Sequence, residues 1–95
     1  MKMLLIVADA ARVESVRRVL QEGGAPGSTE LPVVEGAGRT GVHAGDRVHP
    51  GALVALFTIV EDEASSPLFD SIIRRRDAEG DRVTRCFVLP VERQA

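Results

Sequence analysis

A glycine-rich hexapeptide, residues 36–41 (GAGRTG), has the residue types in this sequence that are best suited to binding a ligand. Glycines let backbone N–H groups approach a phosphate closely, and Arg39 can add a charged, forked donor. The letters match the G-x-G-x-x-G pattern of dinucleotide-binding turns, but such a site needs a helix directly after the turn. Residues 42–51 (VHAGDRVHPG) contain further glycines and a proline, which exclude an amphipathic helix. The pattern therefore indicates either a loop that contacts phosphate or a loop with solvated charges.

The same segment contains three side chains that could hold a metal ion. His43, Asp46 and His49 are possible ligands, although solvent-exposed imidazoles are the ordinary alternative. The serine, histidine and aspartate residues show no spacing typical of a catalytic triad, and the sequence lacks G-x-S-x-G. Cys86 lies inside an apolar run and is interpreted as a small buried hydrophobic residue. We therefore predict that the chain is not an enzyme, and we assign no metal site.

Arginines near the end of the chain supply the remaining candidate anion-binding groups. Residues 74–76 are three consecutive arginines, interpreted as the end of a helix where cations complement the dipole, with phosphate contact as the alternative. Arg82 and Arg85 flank the start of the last predicted strand, beside the turn at Gly80.

Composition limits the classes of protein to which this chain can belong. Its 95 residues are 44% hydrophobic and 27% charged, which favours a single globular domain over residues 1–95. The net charge of −2 and the aromatic content of 3% argue against nucleic-acid binding. The single cysteine excludes an internal disulfide bond. The apolar run 3–8 is too short for a signal peptide or a membrane span, so we expect a cytoplasmic protein.

The sequence predicts a strand, a helix and a second strand in the first half of the chain. Residues 3–8 are continuously apolar, and Asp9 can cap the helix that follows. Val13, Val16 and Leu20 recur at helical spacing, and Gly23-Gly24 is expected to end this helix. Residues 28–35 are predicted to form a strand in which Pro32 indicates an edge position or a bulge.

The second half repeats this order after a long connection. Residues 36–51 have no apolar period and are predicted to form a loop or a loose hairpin arm. Residues 52–60 and 83–91 are predicted to form strands. A helix between them is predicted to start with Ser66 as N-cap and Pro67 in its first turn. The order β-α-β-β-α-β predicts an α+β, ferredoxin-like sandwich, with a four-stranded antiparallel sheet and two helices on one face.

Short motifs within this order resemble the nitrogen-regulatory P-II protein superfamily. They are the helix end at Gly23-Gly24, the turn Gly27-Ser28-Thr29, and residues 34–39 (VEGAGR). Members of that superfamily carry G-x-x-G-x-T, then a strand, and then G-x-G-R at the base of a long loop. The resemblance covers the whole chain in element order, including a glycine turn before the last strand.

The resemblance implies a homotrimer whose sheets face inward, with an adenine nucleotide such as ATP, ADP or AMP in each cleft between subunits. Ligand binding would order the loop 36–51, which would then dock on a client enzyme or transporter, including a transporter in the membrane. This describes a cytoplasmic signal-transduction protein that is not an enzyme and has no nucleic-acid partner. The matching ligand-binding positions are Gly36, Gly38 and Arg39 at the loop base, and Gly80 and Arg82 in the turn before the last strand.

Several positions depart from the superfamily pattern. Thr40 stands where a glutamine usually helps to place magnesium and 2-oxoglutarate, and Arg82 stands in place of the usual lysine. The loop is shorter, and because the chain has no tyrosine, tyrosine uridylylation is excluded. The sequence therefore resembles a compact, divergent P-II-like member more than a standard nitrogen regulator.

Two alternatives share the predicted fold. One is a trimeric metal-tolerance protein similar to CutA, which would use His43, Asp46 and His49. The other is a small ferredoxin-like enzyme or ligand-binding regulatory domain that acts as a dimer. The metal affinity of His43→Ala and His49→Ala variants separates the first alternative, and the oligomeric state separates the second.

Overall fold

The computed structural model describes residues 1–33, 35–38, 41–44 and 52–95, and for 35–38 and 41–44 it describes the backbone. A short 3-10 turn, Ala10–Arg12, leads from the first strand into the first helix. The strands are β1 (Lys2–Asp9), β2 (Thr29–Val33), β3 (Glu35–Gly38), β4 (Gly41–Ala44), β5 (Leu53–Val60) and β6 (Arg85–Pro90). The helices are α1 (Val13–Glu22) and α2 (Asp62–Ala78).

Four of these strands form one antiparallel sheet in the order β2-β5-β1-β6. Both helices pack on one face of this sheet, which confirms the predicted ferredoxin-like sandwich. Strand β2 lies at an edge, as Pro32 predicts, because proline cannot donate a hydrogen bond to a second neighbour. Strands β3 and β4 pair with each other in a separate two-stranded sheet within the long connection, so the prediction of a hairpin arm is confirmed for residues 35–38 and 41–44.

The core lies between the helices and the sheet. Alternate residues of β1 point toward the helices because side chains alternate between faces along a strand. Leu4, Ile6 and Leu56 from the sheet are fully buried, as are Val16 from α1 and Ile72 from α2. The apolar faces that the sequence predicts for the strands and helices therefore pack against one another in a single core.

Helix α2 begins earlier than predicted, and the assignment of Ser66 as its N-cap is wrong. The helix starts at Asp62, after Glu61 in an extended conformation, and Pro67 lies inside it. Acidic residues in the first turn, Asp62 and Glu63, favour this start because they complement the positive end of the helix dipole. The Ser65 hydroxyl donates to the Asp62 carbonyl at 2.8 Å, so the serine is satisfied within the helix. The Ser-Pro pair therefore marks a position inside the helix.

The face of the sheet opposite the helices is apolar. On this face Leu5 of β1 lies opposite Phe57 of β5 and Phe87 of β6. Phe87 is 50% exposed and Leu31, on the edge strand β2, is 52% exposed. We refer to this surface as the open face. Its apolar members are Met3, Leu5, Val7, Leu31, Val33, Leu53, Ala55, Phe57, Ile59, Phe87 and Leu89, and the polar residues Asp9, Thr29 and Arg85 lie on the same face.

Candidate functional site

The structure divides the predicted ligand-binding residues between two segments. Gly80 and Arg82 lie in the connection between α2 and β6, which we call the α2–β6 turn (residues 79–84). Gly36 and Gly38 lie in β3, where they pair with His43 and Gly41 of β4. Arg39 lies outside the described residues. The assignment of these residues to one ligand site stays a prediction.

Gly80 has a structural role at the end of α2. Its φ of 65° is in the left-handed region, which glycine adopts without strain. The Gly80 N–H donates to the Asp77 carbonyl at 3.2 Å, and the Asp81 N–H donates to the Arg76 carbonyl at 2.9 Å. This is the Schellman pattern that closes a helix. The glycine at this position is therefore explained by helix termination, whether or not a ligand binds there.

Replacing Gly80 with alanine is expected to lower the free energy of unfolding by roughly 1–2 kcal/mol, because an L-residue is strained at this φ. Gly27→Ala is the matched control, since a Cβ there meets nothing within 4 Å and the backbone φ is outside the left-handed region. Urea denaturation of both variants measures the difference. Equal losses in the two variants would contradict the proposed cause.

A buried ion pair fixes the α2–β6 turn from inside. The Arg75 guanidinium donates through Nη2 to Asp81 Oδ2 at 2.5 Å and to Thr84 Oγ1 at 3.2 Å. The side chains of Arg75 and Asp81 are only 7% and 2% exposed. Asp81 Oδ1 also accepts the backbone N–H groups of Val83 and Thr84, at 2.9 and 3.1 Å. One carboxylate thus connects the last turn of α2 to the start of β6.

These contacts control the ionisation of Asp81. Burial alone would raise the pKa of this carboxyl group. Hydrogen bonds from the hydroxyl and N–H of Thr84, from the Val83 N–H and from Arg75 outweigh burial and hold its pKa well below the ordinary range. Asp81 is therefore charged at neutral pH and balances the charge of Arg75.

The interpretation of residues 74–76 as a helix end is confirmed, because Arg75 and Arg76 lie in the last turn of α2. Arg75 is nevertheless buried. Arg75 lies on the buried side of α2 together with Ser65, Leu68 and Ile72. The spacing of these residues contains the signal, because positions three and four apart share a face of a helix. Arg74 is exposed and Arg76 is half-buried, so Arg75 is the one buried residue of the arginine triplet. A buried arginine requires a partner, which the sequence provides at Asp81.

A second group of polar contacts joins α2 to α1. Glu79 accepts a hydrogen bond from Arg12 Nη1 at 2.8 Å and one from the Ser15 hydroxyl at 2.6 Å. The hydrogen bonds from Ser15 and Arg12 lower the pKa of the Glu79 carboxyl group. Arg75 Nη1 approaches the same carboxylate at 3.4 Å. Arg75 therefore links this group to Asp81.

Two arginines lie on the outer side of the turn. Arg82 is exposed between Asp81, which is buried, and Val83, whose N–H is bound. Arg85 is also exposed at the first position of β6, and its Nη1 donates to the carbonyls of Arg82 and Thr84 at 3.3 and 3.0 Å. This arrangement presents positive charge to solvent from a backbone that is fixed at several points.

The turn Gly27-Ser28-Thr29 and strand β2 are held in place by contacts with β5 and α1. Thr58, which is buried, donates from its hydroxyl to the Gly27 carbonyl. Arg17 of α1 forms a two-point ion pair with Glu30 of β2, with Nε and Nη2 lying 2.7 and 2.9 Å from the carboxylate oxygens. The hydrogen bond from Arg17 lowers the pKa of Glu30. In the groove between α1 and β2, Arg17 and Glu30 therefore balance each other's charge.

Cys86 and the candidate metal ligands lie in different parts of the chain. Cys86 packs against the core, and burial raises the pKa of its thiol to about 11, so it is a neutral thiol at pH 7. This agrees with its interpretation as a small hydrophobic residue. His43 lies in β4, whereas Asp46 and His49 lie outside the described residues, so the metal-binding alternative is not tested. Among the side chains that the structure describes, no group of three or more His, Cys, Asp or Glu could hold a metal ion.

Comparison with known proteins identifies the family. The profile described as nitrogen regulatory protein P-II matches residues 1–95. The chain belongs to the P-II family. P-II proteins are regulatory proteins and not enzymes. A comparison with curated proteins found no match.

Solved structures of P-II-like proteins share the fold of this P-II chain. CPII from Thiomonas intermedia K12, bound to ADP, AMP and bicarbonate, is 24% identical, with a TM-score of 0.74 over 97% of this chain and 88% of that one. CPII bound to ADP, AMP and acetate is 22% identical, with a TM-score of 0.71 over 93% of this chain and 82% of that one. At these identities the likeness establishes the fold. No helix in the described part of this P-II protein is long and apolar enough to cross a membrane.

Proposed function

We propose that residues 1–95 act as one P-II-like domain, a cytoplasmic signal-transduction protein that assembles as a homotrimer. Each cleft between subunits binds an adenine nucleotide, and the segment 36–51 transmits the bound state to a client transporter or enzyme. The observation that carries this proposal is the P-II family match over residues 1–95. The shared fold with CPII, which is bound to ADP and AMP, supports the nucleotide as the ligand.

The open face supports assembly of the subunits. One face of the sheet packs on the helices, while the other leaves Phe87, Leu31 and Leu89 between 39% and 52% exposed. Burying a side chain of this size stabilises a complex by about 1.5–3 kcal/mol. A contiguous apolar surface of this kind is typical of an interface. A trimer with inward-facing sheets removes the open face of every copy from water.

The α2–β6 turn supports an anionic ligand. Arg82 in this turn and Arg85 at the start of β6 are exposed, and guanidinium is suited to phosphate in shape and charge. Through β6, the turn adjoins the edge of the open face, where a neighbouring subunit would lie. A phosphate held here would therefore lie at a subunit boundary.

The test is calorimetry with ATP, ADP, AMP and cyclic AMP on protein whose trimeric state has been verified by analytical ultracentrifugation. We expect heat with at least one nucleotide, saturating at one ligand per cleft. A parallel titration with bicarbonate in the presence of ADP examines the ligand pair seen in CPII. Absence of heat and of a thermal shift with all four nucleotides would reject nucleotide binding, and a monomer or dimer would reject the trimer.

A further inference from the structure

The short 3-10 turn Ala10–Arg12 contacts two parts of the chain that are far apart in the sequence. It follows β1 and leads into α1. One of its contacts is Glu79, the first residue of the α2–β6 turn, and the other is Ala52, which directly follows the segment 36–51 and precedes β5. The 3-10 turn therefore lies between the two segments that the proposed function connects.

The contact with the α2–β6 turn is made by side chains. Arg12 Nη1 donates to Glu79 Oε1 at 2.8 Å and lies 3.4 Å from the Glu79 carbonyl oxygen. The Ser15 hydroxyl, in the first turn of α1, donates to Glu79 Oε2 at 2.6 Å. Both oxygens of one carboxylate are therefore bound from the beginning of α1. The side chains of Arg12 and Glu79 are 35% and 34% exposed, so water screens this ion pair only in part.

The contact with Ala52 is made by the backbone. The Ala10 N–H donates to the Ala52 carbonyl at 2.7 Å. In the register of β1 and β5, Asp9 is opposite Leu53, so this bond continues the pairing one residue beyond both strands. It connects the 3-10 turn to the position at which the chain enters β5.

Hydrogen bonds inside the 3-10 turn join these two contacts. The Asp9 side chain accepts the Ala11 N–H at 2.9 Å, and the Val13 N–H donates to the Ala10 carbonyl. A single turn with its own hydrogen bonds has little freedom to absorb a movement of Arg12. A displacement of Glu79 must therefore break its contact with Arg12 or change the bond between Ala10 and Ala52.

We propose that the 3-10 turn couples the α2–β6 turn to the start of β5, and that Arg12 is the positioning residue that carries this coupling. The inference rests on the proposed function, because it names the contacts through which nucleotide binding reaches the end of the segment 36–51. Such coupling requires that both sites act on the same element, and Ala10–Arg12 is bonded to both.

Hydrogen exchange of the Ala10 amide, followed by NMR on the intact assembly, tests the coupling without a ligand. Arg12→Met removes the guanidinium, and we expect the Ala10 amide to exchange roughly three- to fivefold faster. Glu79→Gln is expected to act in the same direction, although Glu79 lies on the other side of the 3-10 turn. Arg18→Met is the matched control, because Arg18 is an exposed arginine on α1, and it is expected to leave the exchange unchanged.

The Ile6 amide in the middle of β1 reports opening of the whole domain, since Ile6 is fully buried. We expect its exchange to change less than that of Ala10 in both variants. Equal acceleration at Ala10 and Ile6 would show a general loss of stability and would overturn the inference. No acceleration at Ala10 in Arg12→Met would also overturn it.

ADP provides the arm of the experiment that depends on the proposed function. In the wild type, ADP is expected to slow exchange of the Ala10 amide. Arg12→Met is expected to bind ADP with an affinity close to that of the wild type but without this slowing, whereas equal slowing in both proteins would overturn the inference. If the wild type binds no nucleotide, the proposed function fails, and the exchange measured without ligand still decides whether Arg12 carries the coupling.

Discussion

Phe87→Asp is expected to convert the proposed trimer into monomers. Phe87 lies on the open face beside Leu5 and is 50% exposed in the single chain, so it contributes little to the core of one subunit. Its burial in an assembly contributes about 2 kcal/mol per copy, and the three copies together contribute about 6 kcal/mol. This corresponds to assembly that is weaker by a factor on the order of 10⁴. Burying an unpaired aspartate adds a further cost.

The next residue along the chain provides the matched control. Val88 is 40% exposed, but it is opposite Leu4 in the register and therefore belongs to the face of the sheet on which the helices pack. Val88→Asp introduces the same charge on the same strand and is expected to leave the oligomeric state unchanged. Sedimentation velocity over a range of protein concentrations measures both variants, and circular dichroism verifies that each is folded.

The nucleotide gives a second measurement of the same prediction. If ligands bind in clefts between subunits, a folded Phe87→Asp monomer loses binding although Arg82 is intact. A monomer that binds ADP with wild-type affinity would place the site within one chain and contradict the cleft. A Phe87→Asp protein that remains a trimer would show that the open face is not the assembly interface.

The fold could be predicted because its signals are local. The apolar alternation that buries Leu4 and Ile6 needs only a few neighbouring residues, and the helix ends at Gly24 and Gly80 need only the conformational freedom of glycine. Pro32 at the sheet edge follows from its missing N–H. Each of these signals depends on the chain within one element and its boundary.

The beginning of α2 could not be predicted with the same rules because two local signals compete there. Ser66 and Pro67 indicate a helix start, whereas Asp62 and Glu63 favour an earlier one. The earlier start prevails although Pro67 then leaves the Glu63 carbonyl without its helical partner. Ser65, which precedes the Ser-Pro pair, is buried on the same side of α2 as Leu68 and Ile72, so the earlier start adds residues that pack with the rest of the helix.

The candidate site was only partly predictable, because its supporting contacts form after the chain reverses. Gly80 and Arg82 could be chosen from the sequence, but the burial of Arg75 is explained only by its contacts with Asp81 and Thr84, which lie in the α2–β6 turn after the end of the helix. The spacing of Arg75 from Leu68 and Ile72 along α2 indicates an inward-facing side chain. The charge of Arg75 favoured an exposed position instead, so the sequence analysis did not predict its burial. The proposed contribution of a second subunit to the site has no signal in one sequence beyond the apolar open face.

Arg75→Met is expected to be the most destabilising single change among the residues that hold the α2–β6 turn in place. It removes the cation and leaves the Asp81 carboxylate buried, since the two side chains are 7% and 2% exposed. Removing one partner of a buried ion pair costs about 3–5 kcal/mol. For a domain of this size, each kcal/mol lowers the melting temperature by about 4–8 °C, so a decrease of more than about 12 °C is expected.

Arg74→Met is the control, because it removes the same group from the adjacent, exposed position. Surface substitutions usually change stability by less than about 0.5 kcal/mol. Both variants are compared with the wild type at one protein concentration, since assembly makes the melting temperature depend on concentration. Similar decreases in the two variants would show that burial of the pair has no special effect.

Acid titration of stability identifies Asp81 as the group left uncompensated. The pKa of Asp81 is lower in the folded protein than in the unfolded chain, so its contribution is fully present above about pH 4 and is lost as the pH falls below that value. In Arg75→Met the carboxylate lacks one of the donors that lower its pKa, so the stability that the variant loses in acid is smaller than in the wild type.

Asp81→Asn in the Arg75→Met background removes the buried charge and is expected to recover part of the stability that Arg75→Met loses. If the double variant loses the sum of the two single losses, the residues act independently and the ion pair does not hold the turn.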